Sequence, residues 1–297
     1  MKRSPWTAWM FMAPALLILG VFTFYPIICG VALAFTDFSL LRHTPEGQLV
    51  GPRWIGFHNF GRLWVDPYFW KALTNSMTYL LVVPVIQIAS IALAVMVDKP
   101  FRGRNFFRTA FYIPVITSVV VIGITWRWVF RSDGLANFIL GQVGLGPIPF
   151  LTDPNYALHS IMFVTLWQGL GYYMILYLAG LQAIPPELEE AAVLDGAGPV
   201  DVFWRITVPM LKPTVALCSI ISCISALKVF GEIFVMTPEG GPSQSTLTMV
   251  YYLYLKAFED FDVGYSAAIA LVLAGVVGII SWINVRYFKD GGLNSYG

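Results

Sequence analysis

From residue 10 to residue 34 the chain runs without a single Asp, Glu, Lys or Arg. Few features constrain a fold more. The hydrocarbon core of a bilayer needs about 20 apolar residues for a helical crossing. Inside it, every backbone N–H and C=O must find a partner within the spanning structure. Five more runs of this kind follow, at about 72–97, 109–130, 159–181, 214–236 and 266–287. Arg127 stands near the end of the third, and Lys228 and Glu232 stand inside the fifth. No period-2 alternation marks a barrel. Only 12% of the 297 residues are charged, against about a quarter in soluble domains. The expectation is an all-α integral membrane protein, one transmembrane domain over 1–297 with six transmembrane helices embedded in the lipid bilayer. A net charge of +1 speaks against a nucleic-acid partner. Cys29, Cys218 and Cys223 all fall in apolar runs, with no zinc or redox spacing.

The first run follows Lys2 and Arg3 but is too long for a signal-peptide core, and no small-residue cleavage site ends it. It reads as an anchor. Basic residues gather at the N-terminus, in "DKPFRGRNFFR" (Lys99, Arg102, Arg104, Arg108), at Arg205 and Lys212, and at Arg286 and Lys289. With six alternating spans these regions share one side, which the positive-inside rule makes cytoplasmic. Both termini are then cytoplasmic. The opposite side carries longer loops rich in aromatics, such as "GPRWIGFHNFGRLWVDPYFW", suited to the membrane interface.

Between the fourth and fifth runs lies "IPPELEEAAVLDGAGPVDVFWRITVPMLKP", residues 184–213. Pro185 and Pro186 end one helix and open another. Glu187, Glu189 and Glu190 then sit where the helix dipole favours acids. Gly196 and Gly198 stop that helix. Pro199 starts a second through Val200, Phe203, Trp204 and Ile206, and Pro209 ends it. This predicts a stiff helix–turn–helix knob whose tip exposes Ala191, Ala192, Gly196, Ala197 and Gly198. The alternative to docking on another protein is a helix resting on lipid. That alternative calls for a basic polar face, and the first helix is acidic.

Catalytic patterns are missing from the sequence. No G-x-x-x-x-G-K-[ST], H-E-x-x-H or G-x-S-x-G occurs, and the three histidines, His43, His58 and His159, are scattered. The chain is expected to be no enzyme and to hold no metal. A polar pathway is written instead into the third to fifth runs. "WQGLGYYM" supplies Trp167, Gln168, Gly169, Gly171, Tyr172 and Tyr173; Thr117, Ser118, Ser222 and Ser225 add hydroxyls. Lys228 and Glu232, at i and i+4, either pair with each other or line a water-filled cavity. The glycines either open space beside the rings or serve close helix packing. Arg127 is placed to snorkel to the interface.

"EAAVLDGA" followed by Phe203, Ile206, Pro209 and Pro213 closely resembles the EAA loop of permease subunits of bacterial ABC importers. "PALLILGVFTFYPIICGVALAFTDFS", "WIGFHNF", "FYIPVITS" and "LKVFGEIFVMTPEGGP" resemble the carbohydrate-importing, maltose-type branch, over nearly the whole chain. The resemblance implies a coupling helix in which Glu190, Ala191, Ala192, Asp195, Gly196, Ala197 and Gly198 meet a cytoplasmic ATPase. It implies a heterodimer with a second permease subunit, a dimer of ABC ATPases that bind the ATP and Mg, and an external solute-binding protein. It sets Gly169 and Tyr172 at sugar-contacting positions. Val115 departs from the maltose pattern, which has an aromatic there. The expected function is the translocation subunit of a sugar importer in the bacterial inner membrane, working by alternating access. The rivals are a glycerol-phosphate or polyol importer and an ion-coupled secondary transporter.

Overall fold

Long apolar runs that must satisfy their own backbone become helices, and the computed structural model, which describes residues 5–43 and 49–288, is helical throughout its membrane part. Five helices are long and apolar enough to cross a bilayer: Trp9–Leu33, Pro67–Asp98, Pro154–Gln182, Lys212–Met236 and Val263–Phe288. At about 1.5 Å per residue they reach roughly 38–48 Å, beyond the ~30 Å hydrocarbon core. At the third apolar run stands a bent pair, Arg104–Ile116 and Val119–Val129, apolar enough taken together for one broken span, with axes that differ by 100°. Among the described residues there is no strand, only the isolated bridges Thr36 to Trp54 and His43 to Leu49. Of the basic residues used to orient the chain, Lys2, Arg3 and Lys289 lie outside the described residues.

The third span is therefore not the single helix over 109–130 that hydropathy implied. The backbone is extended at Thr117 (ψ 138°) and Ser118 (ψ 133°). The Thr117 hydroxyl donates to the Ile113 carbonyl at 2.8 Å, the acceptor a helical Thr117 N–H would have used. That N–H moves to the Pro114 carbonyl at 3.3 Å. A new helix then starts from Ser118, whose carbonyl accepts from the Ile122 N–H at 3.0 Å.

Prolines shape the other spans without ending them. Pro84 leaves Leu80 without its helical donor, and the second span hitches at Leu80–Leu81, between Pro67–Tyr79 and Val82–Asp98. In the first span, Pro26 lies next to a π turn over Gly20–Phe24, in which the Tyr25 N–H reaches back to the Gly20 carbonyl. None of that span's apolar window is buried within the chain.

The chain divides into two compact units. One comprises the chain up to Phe69 together with Tyr252–Ala274. Its centre is polar: buried Asn59 donates to the carbonyls of Ala34 (3.0 Å) and Thr36 (2.8 Å). Asp66 accepts from the hydroxyls of Tyr252 and Tyr265. Burial works against ionisation of Asp66, but these hydroxyls and backbone amides outweigh it and hold its pKa below the usual carboxylate value.

The other unit comprises Trp70–Tyr251 together with the chain from Gly275. Its axis is the fourth span, started by Pro154 and capped by Asp153, whose Oδ1 accepts from the Asn155 N–H at 2.8 Å. Three glycines seat its neighbours. A Cβ on Gly169 would lie 2.7 Å from Ile86 Cδ1 of the second span, one on Gly171 2.0 Å from the Phe111 carbonyl oxygen of the third, and one on Gly180 2.5 Å from Thr214 Oγ1 of the fifth. Small residues at these crossings bring helices to backbone distance. Buried Gln87 ties the same spans together. It donates to Ser222 Oγ (2.7 Å) and the Cys218 carbonyl (3.1 Å), and accepts from the Tyr177 hydroxyl.

Candidate functional site: an intramembrane cavity and an exposed helical knob

The bend in the third span and a break in the fifth leave space that close-packed straight helices would fill. A cavity of about 620 Å³ opens there, bounded by the second, third, fourth and fifth spans. Of the pathway residues read from the sequence, Gly169, Tyr172, Tyr173, Ser222, Ser225, Lys228 and Glu232 line it. Trp167, Thr117 and Ser118 do not. Trp167 and Thr117 line a separate groove of about 440 Å³, with Trp167 edge-on to Trp126 at 5.4 Å. Ser118 lines neither space, because it serves as the turn into Val119–Val129.

Lys228 and Glu232 differ from the helical pair that their spacing suggested. The helix Lys212–Leu227 stops at Lys228, Phe230 adopts φ −145°, and a fresh helix, Gly231–Met236, carries Glu232. Position i+4 across that break is no longer the same face. Among the described residues no ion pair joins the two, and both border the cavity. The glycines of "WQGLGYYM" serve packing, as the contacts of Gly169 and Gly171 show; Gly169 also borders the cavity. Ser222 is already engaged, accepting from Gln87 and donating to the Ser219 carbonyl at 3.1 Å. Arg127 donates to the Val235 carbonyl at 3.2 Å.

Sequence reasoning missed several lining groups. Tyr79 and Thr165 share a 2.5 Å hydroxyl–hydroxyl bond, and Val115 and Phe230 also line the cavity. Tyr79 sits in a run read only for hydropathy, whereas Gln168, named in "WQGLGYYM", does line the cavity. The wall thus mixes aromatic rings with amide, hydroxyl, ammonium and carboxyl groups. Tyr172 and Tyr173 meet edge to face at 5.1 Å. Such a wall can hydrogen-bond the hydroxyls of a solute and cover its C–H faces with rings.

The segment after the fourth span forms the expected knob. Pro186–Leu194 is a helix with Pro186 in its first turn and Glu187 and Glu189 at its N-terminal end. It ends in a Schellman motif: Gly196 N–H bonds the Val193 carbonyl (3.0 Å) and Ala197 N–H the Ala192 carbonyl (2.9 Å). Gly196 is left-handed at φ +86°, where a side chain is strained. Gly198 then precedes a helical turn, Pro199–Val202. Pro209 does not end the second helix, as the sequence had suggested. A π turn over Phe203–Thr207, with the Val208 N–H on the Phe203 carbonyl, carries the helix into Val208–Met210; the break comes at Leu211. Glu190, Ala191, Asp195 and Gly196 are exposed, and Ala192, Ala197 and Gly198 half-buried. Large apolar side chains join them at the surface: Leu194 is 89% exposed, Val200 70% and Trp204 63%. The sequence reading had emphasised only small residues there.

Comparison with known proteins places this architecture. Residues 86–289 match the family described as the binding-protein-dependent transport system inner membrane component. The chain is 35% identical over 281 residues to the lactose transport system permease protein LacF of Rhizobium radiobacter, covering 93% of this chain and 91% of that protein. It is 33% identical over 289 residues to the multiple sugar-binding transport system permease protein MsmF of Streptococcus mutans, covering 95% and 94%. A crystal structure of a bacterial ABC transporter involved in import of the acidic polysaccharide alginate contains a chain of the same fold, with TM-score 0.81, 24% identity and 96% coverage of both chains. By sequence along most of its length and by fold, the chain belongs to the family of inner-membrane components of binding-protein-dependent transport systems.

Proposed function

We propose that this chain is the translocation subunit of an ATP-driven importer for a sugar or oligosaccharide, and that the 620 Å³ cavity is its half of the substrate pathway. The observation that carries the reading is the cavity wall itself: tyrosine rings, hydroxyls, an amide and one charge of each sign, inside a bundle of membrane spans. Isolated charges in a bilayer are costly and belong where water or a polar solute reaches them. Relatives whose names specify lactose and multiple sugars support the carbohydrate class.

The remaining machinery follows from what the chain lacks. With no nucleotide-binding loop in its sequence, this subunit is non-catalytic, and a pair of ABC ATPases on the cytoplasmic side binds the ATP and Mg. They grip the knob through Glu190, Ala191, Ala192, Asp195 and Gly196–Gly198, with Leu194 and Trp204 beside them. A second permease subunit supplies the other half of the pathway. A solute-binding protein delivers the sugar from outside, as the family description implies. Both termini lie in the cytoplasm. ATP-driven closure moves the knob, and the cavity alternates between the two sides.

Glycerol phosphate fits less well. An anion calls for a positive site, and Lys228 in the cavity wall is offset by Glu232. The test is ATPase stimulation of the reconstituted importer by its binding protein loaded with lactose, maltose or glycerol 3-phosphate. Stimulation by a neutral sugar is expected; stimulation by glycerol 3-phosphate alone would refute the carbohydrate reading.

A further inference from the structure

From the end of the second span to the first turns of Arg104–Ile116, residues 98–108 carry Lys99, Arg102, Arg104 and Arg108 against a single acid, Asp98. Positive-inside orientation needs charge of this sign but no particular geometry. Here the geometry is specific. Arg104 donates to the Asp98 carbonyl at 3.3 Å and Arg108 to the Val97 carbonyl at 2.9 Å, so both finish the C-terminal end of the second span. Among the described residues Lys99 and Arg102 have no such bond and no ion-pair partner, and Arg108 Nε is buried with no partner there. The local charge is thus uncompensated. A concavity of about 500 Å³ lies among residues 100–105, lined by Arg102, Arg104 and Asn105.

An apolar groove begins at the very next residue. Phe106, 71% exposed, opens the groove of about 440 Å³ that runs past Ile113 to Thr117 and round the bend to Val121, Thr125 and Trp126. From Phe106 to Thr117 the helix rises roughly 16 Å at 1.5 Å per residue, comparable with most of an extended acyl chain. The loop joins two membrane spans, so it lies at headgroup level by construction. A cationic concavity beside an apolar groove that begins at the next residue complements one class of molecule.

We infer that residues 99–126 form a binding site for an anionic phospholipid. Its phosphate is held by Arg102 in the concavity, with Lys99 three residues earlier in the chain adding positive charge, and one acyl chain lies along the groove bordered by Phe106, Ile113 and Thr117. The lipid wedges against the bend at Thr117–Ser118, the same bend that shapes one wall of the solute cavity through Val115 and Val119. Lipid occupancy would then stiffen the bend between the two helices of the third span. This site is separate from the sugar pathway and does not depend on the sugar assignment.

The experiment is native mass spectrometry and thermal unfolding of the full-length chain in neutral detergent. The added probes are palmitoyl-oleoyl phosphatidylglycerol, the matching phosphatidylcholine, or inorganic phosphate. The unsubstituted chain is expected to retain phosphatidylglycerol over phosphatidylcholine, with about fivefold lost for each basic residue removed in Lys99→Gln and Arg102→Gln, which leave the span-capping arginines in place. Ile113→Trp, which fills the groove, is expected to lower retention of both lipids. Equal retention of the two lipids, or no change in K99Q/R102Q, would mean that the charges only orient the chain and would overturn the site. Equal stabilisation by inorganic phosphate would overturn its lipid character. A cysteine at Thr117 that cross-links quantitatively to a co-expressed second permease subunit would show the groove covered by protein and would overturn it as well.

Discussion

The cavity and the knob break the usual rule of burial in opposite senses. Within the spans, Gln168, Ser225, Lys228 and Glu232 turn polar groups toward a space at membrane depth. Outside them, Leu194, Val200 and Trp204 turn apolar groups away from the chain. Each exception is stabilised by stiff backbone nearby: glycine-seated helix crossings around the cavity, a Schellman turn and two N-terminal prolines in the knob. A polar wall without solute and an apolar surface without cover are both incomplete alone. The contrast teaches why the proposal assigns the two regions different partners, a small hydroxylated molecule to the cavity and a protein to the knob.

Glycine substitutions separate the regions most sharply. At Gly171 a Cβ would meet the Phe111 carbonyl oxygen at 2.0 Å, whereas at Gly196 nothing lies within 4 Å. Gly171→Ala must push two backbones apart, at a cost of about 3 kcal/mol, and is expected to cut the yield of monodisperse protein severely. Size-exclusion chromatography after detergent extraction checks it, and a normal yield would remove the packing role of the fourth-span glycines. Leu194→Asp comes next. Burying a leucine is worth about 2 kcal/mol, so co-purification of the ATPase is expected to fall about thirtyfold while extraction yield stays unchanged. Gly196→Val keeps the chain inserted but strains the left-handed turn by roughly 1–2 kcal/mol. ATP hydrolysis should continue with transport reduced about tenfold, measured side by side in proteoliposomes. The smallest effect belongs to the cavity: Tyr172→Ala should raise the sugar concentration for half-maximal transport about fivefold, since one ring contact is worth about 1 kcal/mol. An unchanged transport curve would take Tyr172 out of the pathway, and a loss of ATPase binding would blur the division between the regions.

What the sequence made legible follows the strength of the physical constraint behind it. A bilayer tolerates almost nothing but long apolar helix, so hydropathy located the five long helices, and the third run emerged as a bent pair. Proline and glycine at fixed offsets likewise marked the knob and its turn. The internal breaks were harder. The turn at Thr117–Ser118 depends on a hydroxyl capturing the Ile113 carbonyl. Continuation of the helix through Pro209 depends on a π turn reaching back to Phe203. Both are local bond choices that tertiary packing decides, and neither leaves a periodic trace. The same breaks explain the site residues that moved. Thr117 and Ser118 left the cavity for the bend, and Lys228 and Glu232 lost the common face that an unbroken helix would have given them. Gln87, the centre of the buried link between Tyr177 and Ser222, stood in a run whose hydropathy concealed it. The exposed Leu194 and Trp204 went unweighed because the reading of the knob looked to its small residues.

The central claim, that the knob is a cytoplasmic handle covered by an ATPase, meets its most direct test in Leu194→Cys, because this side chain is 89% exposed. Cells expressing the full importer would be treated with a membrane-impermeant maleimide, as intact cells and as inverted membrane vesicles, with and without the ATPase subunits, against the unsubstituted chain. The account predicts no labelling in intact cells, strong labelling in inverted vesicles lacking the ATPase, and protection when the ATPase is present. Labelling in intact cells, or labelling in vesicles that the ATPase leaves unchanged, would contradict it.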